Sequence, residues 1–339
     1  MTIRSPSGTK LTLVTTIASF PSIWNNYSCP NISKFSTRVT HVLTNRNKAI
    51  HTCQAISCQR TIKENLNHHQ PRSKMSIDNQ ENFNQLTMST TNHIAVVTIN
   101  CPPNVPLDLK QASEIRAVCQ FIEDDSEIQL ALFRGTGNHF CSGRLLMPEE
   151  IAKGTLREQT EWIETMQVAD YIAKLSIPVV IAINGNAIDH GLELALSGDI
   201  RIADPDIQLG LTDIKHGVMG WDGGTQRLPR LVGQSWANDL VLTGRTISAQ
   251  EALNIGLVNR VSLPGNLIDE SLSLAESITE GGPIASKYLK EIMYKGMDMT
   301  LPQGLALEAD LNVILQSTKD RAEGISSFLQ KRKPLYNGE

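Results

Sequence analysis

An uninterrupted apolar run, Val179 to Ile183, is followed by a sharp turn and then by helical spacing that begins near Leu192. A continuous run rich in β-branched residues is typical of a strand that is buried on both faces. When such a strand turns directly into a helix, backbone N–H groups point into one small volume. Glu193 lies in the first turn of that helix, and Asp213 follows it by twenty positions. The sequence therefore predicts a helix N-terminus with two carboxylates within reach, which suits chemistry on a polarised carbonyl.

The 339-residue chain divides by charge into two parts. Residues 1–74 contain ten Lys or Arg and one acidic residue, Glu64, whereas the remainder contains 21 basic and 34 acidic residues. The acidic body does not indicate nucleic-acid binding, and the absence of a run of about 18 apolar residues argues against a membrane span. The acid-poor N-terminal part resembles an organellar transit peptide, which implies a mitochondrial matrix location; otherwise we expect a cytoplasmic protein. The alternatives are a disordered tail or translated sequence upstream of a later start at Met75 or Met88.

The cysteines do not indicate a metal site. All six lack a CxxC spacing, so we expect buried or free thiols and no structural zinc. No cluster of metal ligands and no glycine-rich dinucleotide motif appears either, so we expect no metal and no redox cofactor.

Predicted strands and helices alternate along the body of the chain, which indicates an α/β architecture. The predicted strands are residues 94–99, 130–133, 179–183 and 200–203. The predicted helices are residues 109–122, 149–174, 267–278, 283–294 and 301–315, with Asp320 as the candidate cap of a last helix. We therefore expect a leader at 1–90, a core at 91–262 and a helical region at 263–339.

Several short motifs are similar, in order and spacing, to those of the crotonase superfamily. They are Phe-Cys-Ser-Gly at 140–143, Asn-Gly at 184–185, Gly-Leu-Glu-Leu-Ala at 191–195, Gly-Gly-Thr-Gln-Arg-Leu-Pro at 223–229 and Leu-Thr-Gly-Arg-Thr-Ile-Ser at 242–248. The resemblance covers roughly residues 91–335. It implies a spiral of ββα units with a C-terminal helical region, preceded here by a disordered or cleavable leader. It also implies an acyl-CoA substrate, no cofactor beyond the CoA of that substrate, and a homotrimer or dimer of trimers.

The resemblance assigns two backbone N–H groups that stabilise a thioester enolate. They belong to Arg144 and to His190, and the neighbouring residues Ser142, Gly143, Asp189 and Gly191 become candidate substrate contacts. Many family members have three glycines where this chain has Asp189-His190-Gly191. If the second position requires a positive φ, His tolerates it better than a β-branched residue does.

The carboxylates match the pair with which family hydratases hold one water across the double bond. Glu193 matches the first carboxylate and Asp213 the second, so we expect an enoyl-CoA hydratase-type lyase. Asp213 is one methylene shorter than the family's Glu, and a misplacement of about 1 Å can cost ~10²-fold in rate. Glu193 has a structural alternative, because an acid in a first helical turn is favoured by the helix dipole.

Two other functions remain open at this stage. The first is an enoyl-CoA isomerase, decarboxylase or hydrolase that uses Asp222, whose structural alternative is a cap for the helix that follows. Trp221, beside it, is a candidate wall of the acyl pocket. The second is a non-catalytic acyl-CoA-binding subunit. Candidate contacts to CoA phosphates are Lys290, Lys331, Arg332 and Lys333, whereas His139 and His216 are expected to be ordinary loop residues.

Overall fold

The computed structural model describes residues 3–4, 10–11, 83, 85–102 and 105–339. Near the N-terminus, β1 (Ile3–Arg4) and β2 (Lys10–Leu11) pair with each other in antiparallel fashion. They belong to a first compact unit at 1–76, and every other described element belongs to a second unit at 77–339. The predictions of a transit peptide, a disordered tail or a late start concern residues that lie mostly outside the described ones.

Ten strands among the described residues of the second unit form two sheets. They are β3 (Leu86–Thr91), β4 (Ile94–Ile99), β5 (Leu130–Gly135), β6 (Cys141–Ser142), β7 (Val179–Ile183), β8 (Ala187–Ile188), β9 (Ile200–Ala203), β10 (Gln208–Gly210), β11 (Thr246–Ser248) and β12 (Arg260–Val261). The larger sheet has the order β12-β9-β7-β5-β4-β3, and the smaller has the order β11-β10-β8-β6. Pairing is parallel except for β3 with β4 and β10 with β11. All five residues of β7 are buried, as the apolar run predicts.

From β5 to β10, consecutive strands alternate between the two sheets. β5 in the large sheet leads to β6 in the small one, and the same step recurs from β7 to β8 and from β9 to β10. Each repeat carries the chain from the large sheet to the small one before helical segments return it. This arrangement confirms the predicted α/β spiral of ββα units with a C-terminal helical region.

The core begins earlier than the predicted boundary at residue 90. β3 pairs along its whole length with β4, from Leu86 opposite Ile99 to Thr91 opposite Ile94. Leu86 is buried, and Phe83 packs against the same core. The boundary was missed because polar residues dominate this edge strand, so its apolar periodicity is weak.

Besides a 3-10 helix at Asp213–His216, seven α-helices lie among the described residues of the core region. They are α1 (Leu109–Asp124), α2 (Glu149–Ala152), α3 (Leu156–Met166), α4 (Ala169–Ala173), α5 (His190–Ala195), α6 (Gly224–Thr243) and α7 (Ala249–Asn254). The single helix predicted at 149–174 is wrong, because the chain forms three helices there. Thr155 starts α3 with a capping box to Glu158, and the Asp222 carboxylate binds the backbone N–H groups of Val168 and Ala169 at the start of α4.

Four helices close the chain, close to the predicted ranges: α8 (Leu267–Thr279), α9 (Pro283–Met297), α10 (Leu301–Leu315) and α11 (Lys319–Gln330). The predicted cap of α11 is wrong. Thr318 is the N-cap, and the Asp320 carboxylate instead accepts from the N–H groups of Asn337 and Gly338, which holds the C-terminal segment. Within the described residues, no helix is long and apolar enough to span a membrane.

Candidate active site

The site is built where β6 and the start of α5 meet. The N–H of Gly143 donates to the carbonyl of Ile188 at 3.1 Å, which aligns the two segments. A Cβ at Gly191 would overlap the carbonyl group of Cys141, so only glycine allows α5 to approach β6 this closely. This contact brings the residue after Gly143 and the first residue of α5 to one end of the small sheet.

Those two residues are Arg144 and His190, the predicted enolate-stabilising pair. Among the described residues, neither backbone N–H is paired with a backbone carbonyl. His190 is the first residue of α5, where the N–H groups have no partner within the helix. Both groups can therefore donate to a ligand, and their assignment to an enolate oxygen stays a prediction.

Asp189, not His190, has the unusual backbone. Its φ is 54° and its ψ is −114°, a combination that L side chains rarely adopt. Its carboxylate accepts from the N–H of Thr212 at 2.5 Å and from the Thr212 hydroxyl at 3.0 Å. Burial, followed by the nearby charge of Asp213, raises the pKa of Asp189. The Asp189 side chain thus ties the start of α5 to the residue that precedes Asp213.

The carboxylates of Glu193 and Asp213 converge on the side chain of Arg144. We call these three side chains the guanidinium cluster. Nη2 of Arg144 lies 2.5 Å from Oε2 of Glu193 and 3.1 Å from Oδ2 of Asp213, and Nε lies 2.7 Å from Oδ1 of Asp213. The three side chains are at most 6% exposed. Burial opposes the charged form of Arg144, but the hydrogen bonds and charges of the two carboxylates outweigh it and raise the pKa of Arg144.

Glu193 is fixed from its other side as well. Oε1 accepts from the N–H of Asp222 at 3.0 Å and from that of Gly224 at 2.9 Å. A Cβ at Gly220 would lie 2.6 Å from the same oxygen, so the absence of a side chain there makes room for the carboxylate. Only Oε2 of Glu193 is therefore directed at the guanidinium.

Trp221 lies over Arg144 and not in open space. The guanidinium carbon is 4.2 Å from the centre of its ring, a cation–π contact. The ring packs edge-on against Trp162, with 5.6 Å between ring centres. One face of the Trp221 ring is therefore occupied by Arg144, and its role as a wall of an acyl pocket stays a prediction.

A second buried ionic group lies beside the cluster, and we call it the His190–Asp222 pair. Nε2 of His190 is 2.9 Å from Oδ2 of Asp222, and the same oxygen accepts from the N–H groups of Val168 and Ala169 at 2.8 Å each. Because Oδ2 already accepts two N–H bonds, we assign the hydrogen to Nε2. Nδ1 of His190 has no partner in the part of the chain that the structure describes. Asp222 thus caps α4, and the prediction that it caps the following helix is wrong.

The remaining predicted contacts bind other groups of this chain. The Ser142 hydroxyl donates to the carbonyl of Asn186. Lys290 is buried, with its ammonium 2.9 Å from Asp199 and 3.0 Å from the carbonyl of Ile177, which argues against a phosphate contact. Near the C-terminus, Arg332 pairs with Glu323, Lys333 pairs with Glu280, and the Lys331 backbone ends α11.

Comparisons with known proteins agree with this architecture. Residues 89–339 match the sequence model of the Enoyl-CoA hydratase/isomerase family. The chain is 35% identical to the (E)-benzylidenesuccinyl-CoA hydratase of Thauera aromatica, over 75% of this chain and 99% of that protein. It is 34% identical to the short-chain-enoyl-CoA hydratase of Clostridium acetobutylicum, over 74% of this chain and 97% of that protein.

A solved structure supports the same assignment. The crystal structure of an enoyl-CoA hydratase from Bacillus anthracis superposes with a TM-score of 0.71 and 34% identity, over 75% of this chain and all of the other. The region matched by the family model contains the helical C-terminal region and the convergent carboxylates. The chain therefore belongs to the enoyl-CoA hydratase/isomerase family of the crotonase superfamily.

Proposed function

We propose that this chain is an enoyl-CoA hydratase-type lyase, which adds water across the 2,3 double bond of an acyl-CoA thioester or removes it. The supporting observation is the convergence of the carboxylates. Oε2 of Glu193 and Oδ2 of Asp213 lie within 2.5 and 3.1 Å of one atom, Nη2 of Arg144. Two carboxylate oxygens that can share one nitrogen can share one water oxygen at the same point, as hydration requires.

In the proposed reaction the thioester oxygen accepts from the backbone N–H groups of Arg144 and His190. Glu193 takes a proton from the bound water, whose oxygen adds to the β-carbon. Asp213, in its protonated form, delivers a proton to the α-carbon as the enolate collapses. A positioned acid or base contributes typically ~10²–10⁴-fold, and each donor to the enolate oxygen a further ~10²–10³-fold. The names of the two curated relatives, both hydratases of enoyl-CoA thioesters, support the same reaction.

The geometry disfavours the alternative that relies on Asp222. Its Oδ2 accepts from three donors, two of them backbone N–H groups, and its side chain is 1% exposed. A carboxylate held in this way positions neighbouring segments and has little freedom to reach a substrate. We therefore assign Asp222 a positioning role.

The test is hydration by the purified chain. We expect loss of absorbance at the enoyl-thioester band with at least one member of a panel of 2-enoyl-CoAs, and a product heavier by one water. The panel includes straight-chain, cyclic, aryl and carboxylated acyl groups. Glu251→Gln is the matched control for Glu193→Gln, because Glu251 also lies in a first helical turn and pairs with an arginine, outside the site. No hydration of any panel member by a folded protein would refute the proposal.

The exposed apolar side chains of α9 to α11 are relevant to the oligomeric state of the chain. Large side chains that are mostly exposed in the single chain include Met293, Met297, Leu301, Leu305, Val313, Phe328 and Leu329. Exposed apolar patches of this kind mark interaction surfaces. We include a homotrimer or dimer of trimers in the proposal, to be checked by light scattering of the purified chain.

A further inference from the structure

The proposed function leaves the side chain of Arg144 unexplained, because the enolate requires only its backbone N–H. The guanidinium fills the point between Glu193 and Asp213 where the reacting water has to lie. Its own donors are incompletely used. Nε and Nη2 are bonded, whereas Nη1 is buried and has no partner among the described residues.

We propose that Arg144 selects acyl groups that carry a second carboxylate, and that this carboxylate draws the guanidinium away from Glu193 and Asp213 and so opens the position of the reacting water. The proposal rests on the proposed hydratase function and adds a substrate class to it. It makes Arg144 a specificity-determining residue.

The guanidinium has to move for hydration to occur. An atom hydrogen-bonded to both carboxylates and a water in the same place exclude each other. Arginine cannot replace that water or act as its base, because a guanidinium stays protonated in proteins and has no acceptor. The arrangement seen here is therefore a resting state of the site.

A carboxylate is the ligand that makes this movement favourable. Withdrawing a buried arginine from its partners leaves an uncompensated charge, which is strongly destabilising. An unsubstituted acyl chain offers the guanidinium only methyl and methylene groups. A carboxylate offers two acceptor oxygens, which match the planar fork of arginine in a bidentate contact, and the unpartnered Nη1 supplies a first donor.

The first test compares substrates of equal length. Six-carbon 2-enoyl-CoAs that end in a methyl group or in a carboxylate differ only at the far end. We expect wild-type kcat/KM to favour the carboxylated substrate by roughly 10²-fold, the loss typical when one partner of a buried charge pair is removed. Arg144→Ala keeps the backbone N–H and opens the water position. It should abolish the preference and raise kcat for the methyl-ended substrate, and Arg144→Lys should keep part of the preference.

The matched control is Arg245→Ala. Arg245 also bridges two carboxylates, those of Asp239 and Glu251, but it lies outside the site. We expect it to leave the preference unchanged. Equal hydration of both substrates by the wild type, with a parallel change of both in Arg144→Ala, would overturn the inference and leave the hydratase function intact. If neither the wild type nor any folded variant hydrates any 2-enoyl-CoA, the proposed function itself fails.

A second measurement needs no variant. The saturated six-carbon acyl-CoAs, with and without a terminal carboxylate, bind without reacting. Isothermal titration calorimetry should show that the wild type binds the carboxylated ligand more tightly, by roughly 10-fold or more. Equal affinity of the wild type for the two ligands would contradict the role of Arg144.

Discussion

Two buried ionic groups flank the start of α5, and they are built differently. In the guanidinium cluster, the carboxylate oxygens that face the arginine bind its side chain, and only the far oxygen of Glu193 is held by backbone N–H groups. One arginine donor has no partner in the described part of the chain, and an aromatic ring covers the charge. In the His190–Asp222 pair, the oxygen that faces the imidazole also accepts from two backbone N–H groups. The first group can exchange a partner for a ligand without unfolding a helix, whereas the second cannot.

The difference indicates a division of labour. The cluster contains the groups proposed to move protons, and the pair joins the starts of α4 and α5 to the segment that leads into α6. Asp222 also serves the cluster through its backbone, because its N–H donates to Oε1 of Glu193. Variants in the cluster should therefore affect activity more than stability, and variants in the pair should do the reverse.

The largest expected effect is that of Glu193→Gln. The amide oxygen can still accept from the N–H groups of Asp222 and Gly224, and Arg144 keeps its pair with Asp213, so we expect the variant to fold. The amide N–H₂ replaces the oxygen that faces Arg144, so we also expect some loss of stability. The amide cannot take a proton from water, and we expect kcat for hydration to fall by ~10³-fold. Steady-state kinetics beside a urea titration separates the two effects. Retention of more than a tenth of the wild-type rate would remove Glu193 from the reaction.

Asp213→Asn comes next. The amide oxygen of this variant keeps one acceptor for Arg144, but the amide cannot deliver the α-proton, so we expect a loss of about 10²-fold in kcat. Asp213→Glu is the informative companion, because it keeps the charge and lengthens the side chain by one methylene. It should retain at least ~10-fold more activity than Asp213→Asn. Equal rates for the two variants would show that Asp213 does not transfer the proton.

The sequence and the structure agree where local pattern decides the outcome. The apolar run of β7 is readable along the chain and lies in a buried strand as predicted. The spacing of Glu193 and Asp213 predicted two carboxylates within reach of each other, and both bind Arg144. The side chain of Arg144 was missed, because its partners are 49 and 69 positions away and only the fold brings them together. Its one available signal was an arginine directly after the Phe-Cys-Ser-Gly motif, in a segment expected to face a ligand.

Long sequence separation also explains why the contacts of Asp222 and Lys290 were not predicted. Asp222 was predicted to be a catalyst or a cap of the next helix, but it caps α4, which begins 53 positions earlier in the chain. Lys290 was predicted to contact phosphate, but its ammonium reaches Ile177, 113 positions away. Long polar side chains have several chemically equivalent roles, and tertiary contacts decide among them.

Asp222→Asn tests the expectation that the His190–Asp222 pair contributes more to stability than to activity. An amide oxygen can replace Oδ2, but the charge that strengthens its three hydrogen bonds is lost. We expect the free energy of unfolding to fall by about 1–3 kcal/mol, with a loss of activity below ~10-fold. Urea titration and steady-state kinetics on one preparation measure both quantities. If activity falls ~10³-fold while stability is unchanged, Asp222 is a catalytic group and the division of labour is wrong.

The smallest effect concerns Asp189 and is visible only as a function of pH. Its pKa is raised above the usual 3.8, first by burial and then by the charge of Asp213. The folded chain therefore holds this proton more tightly than the unfolded chain does. The contribution of Asp189 to stability is present below the unfolded-state pKa and declines as pH rises through the folded-state pKa. Asn cannot ionise, so Asp189→Asn should gain stability relative to the wild type between about pH 4 and neutral pH, as measured by urea titrations across that range. A difference between the two proteins that does not vary with pH would show that the Thr212 hydrogen bonds, and not the charge, determine what Asp189 contributes.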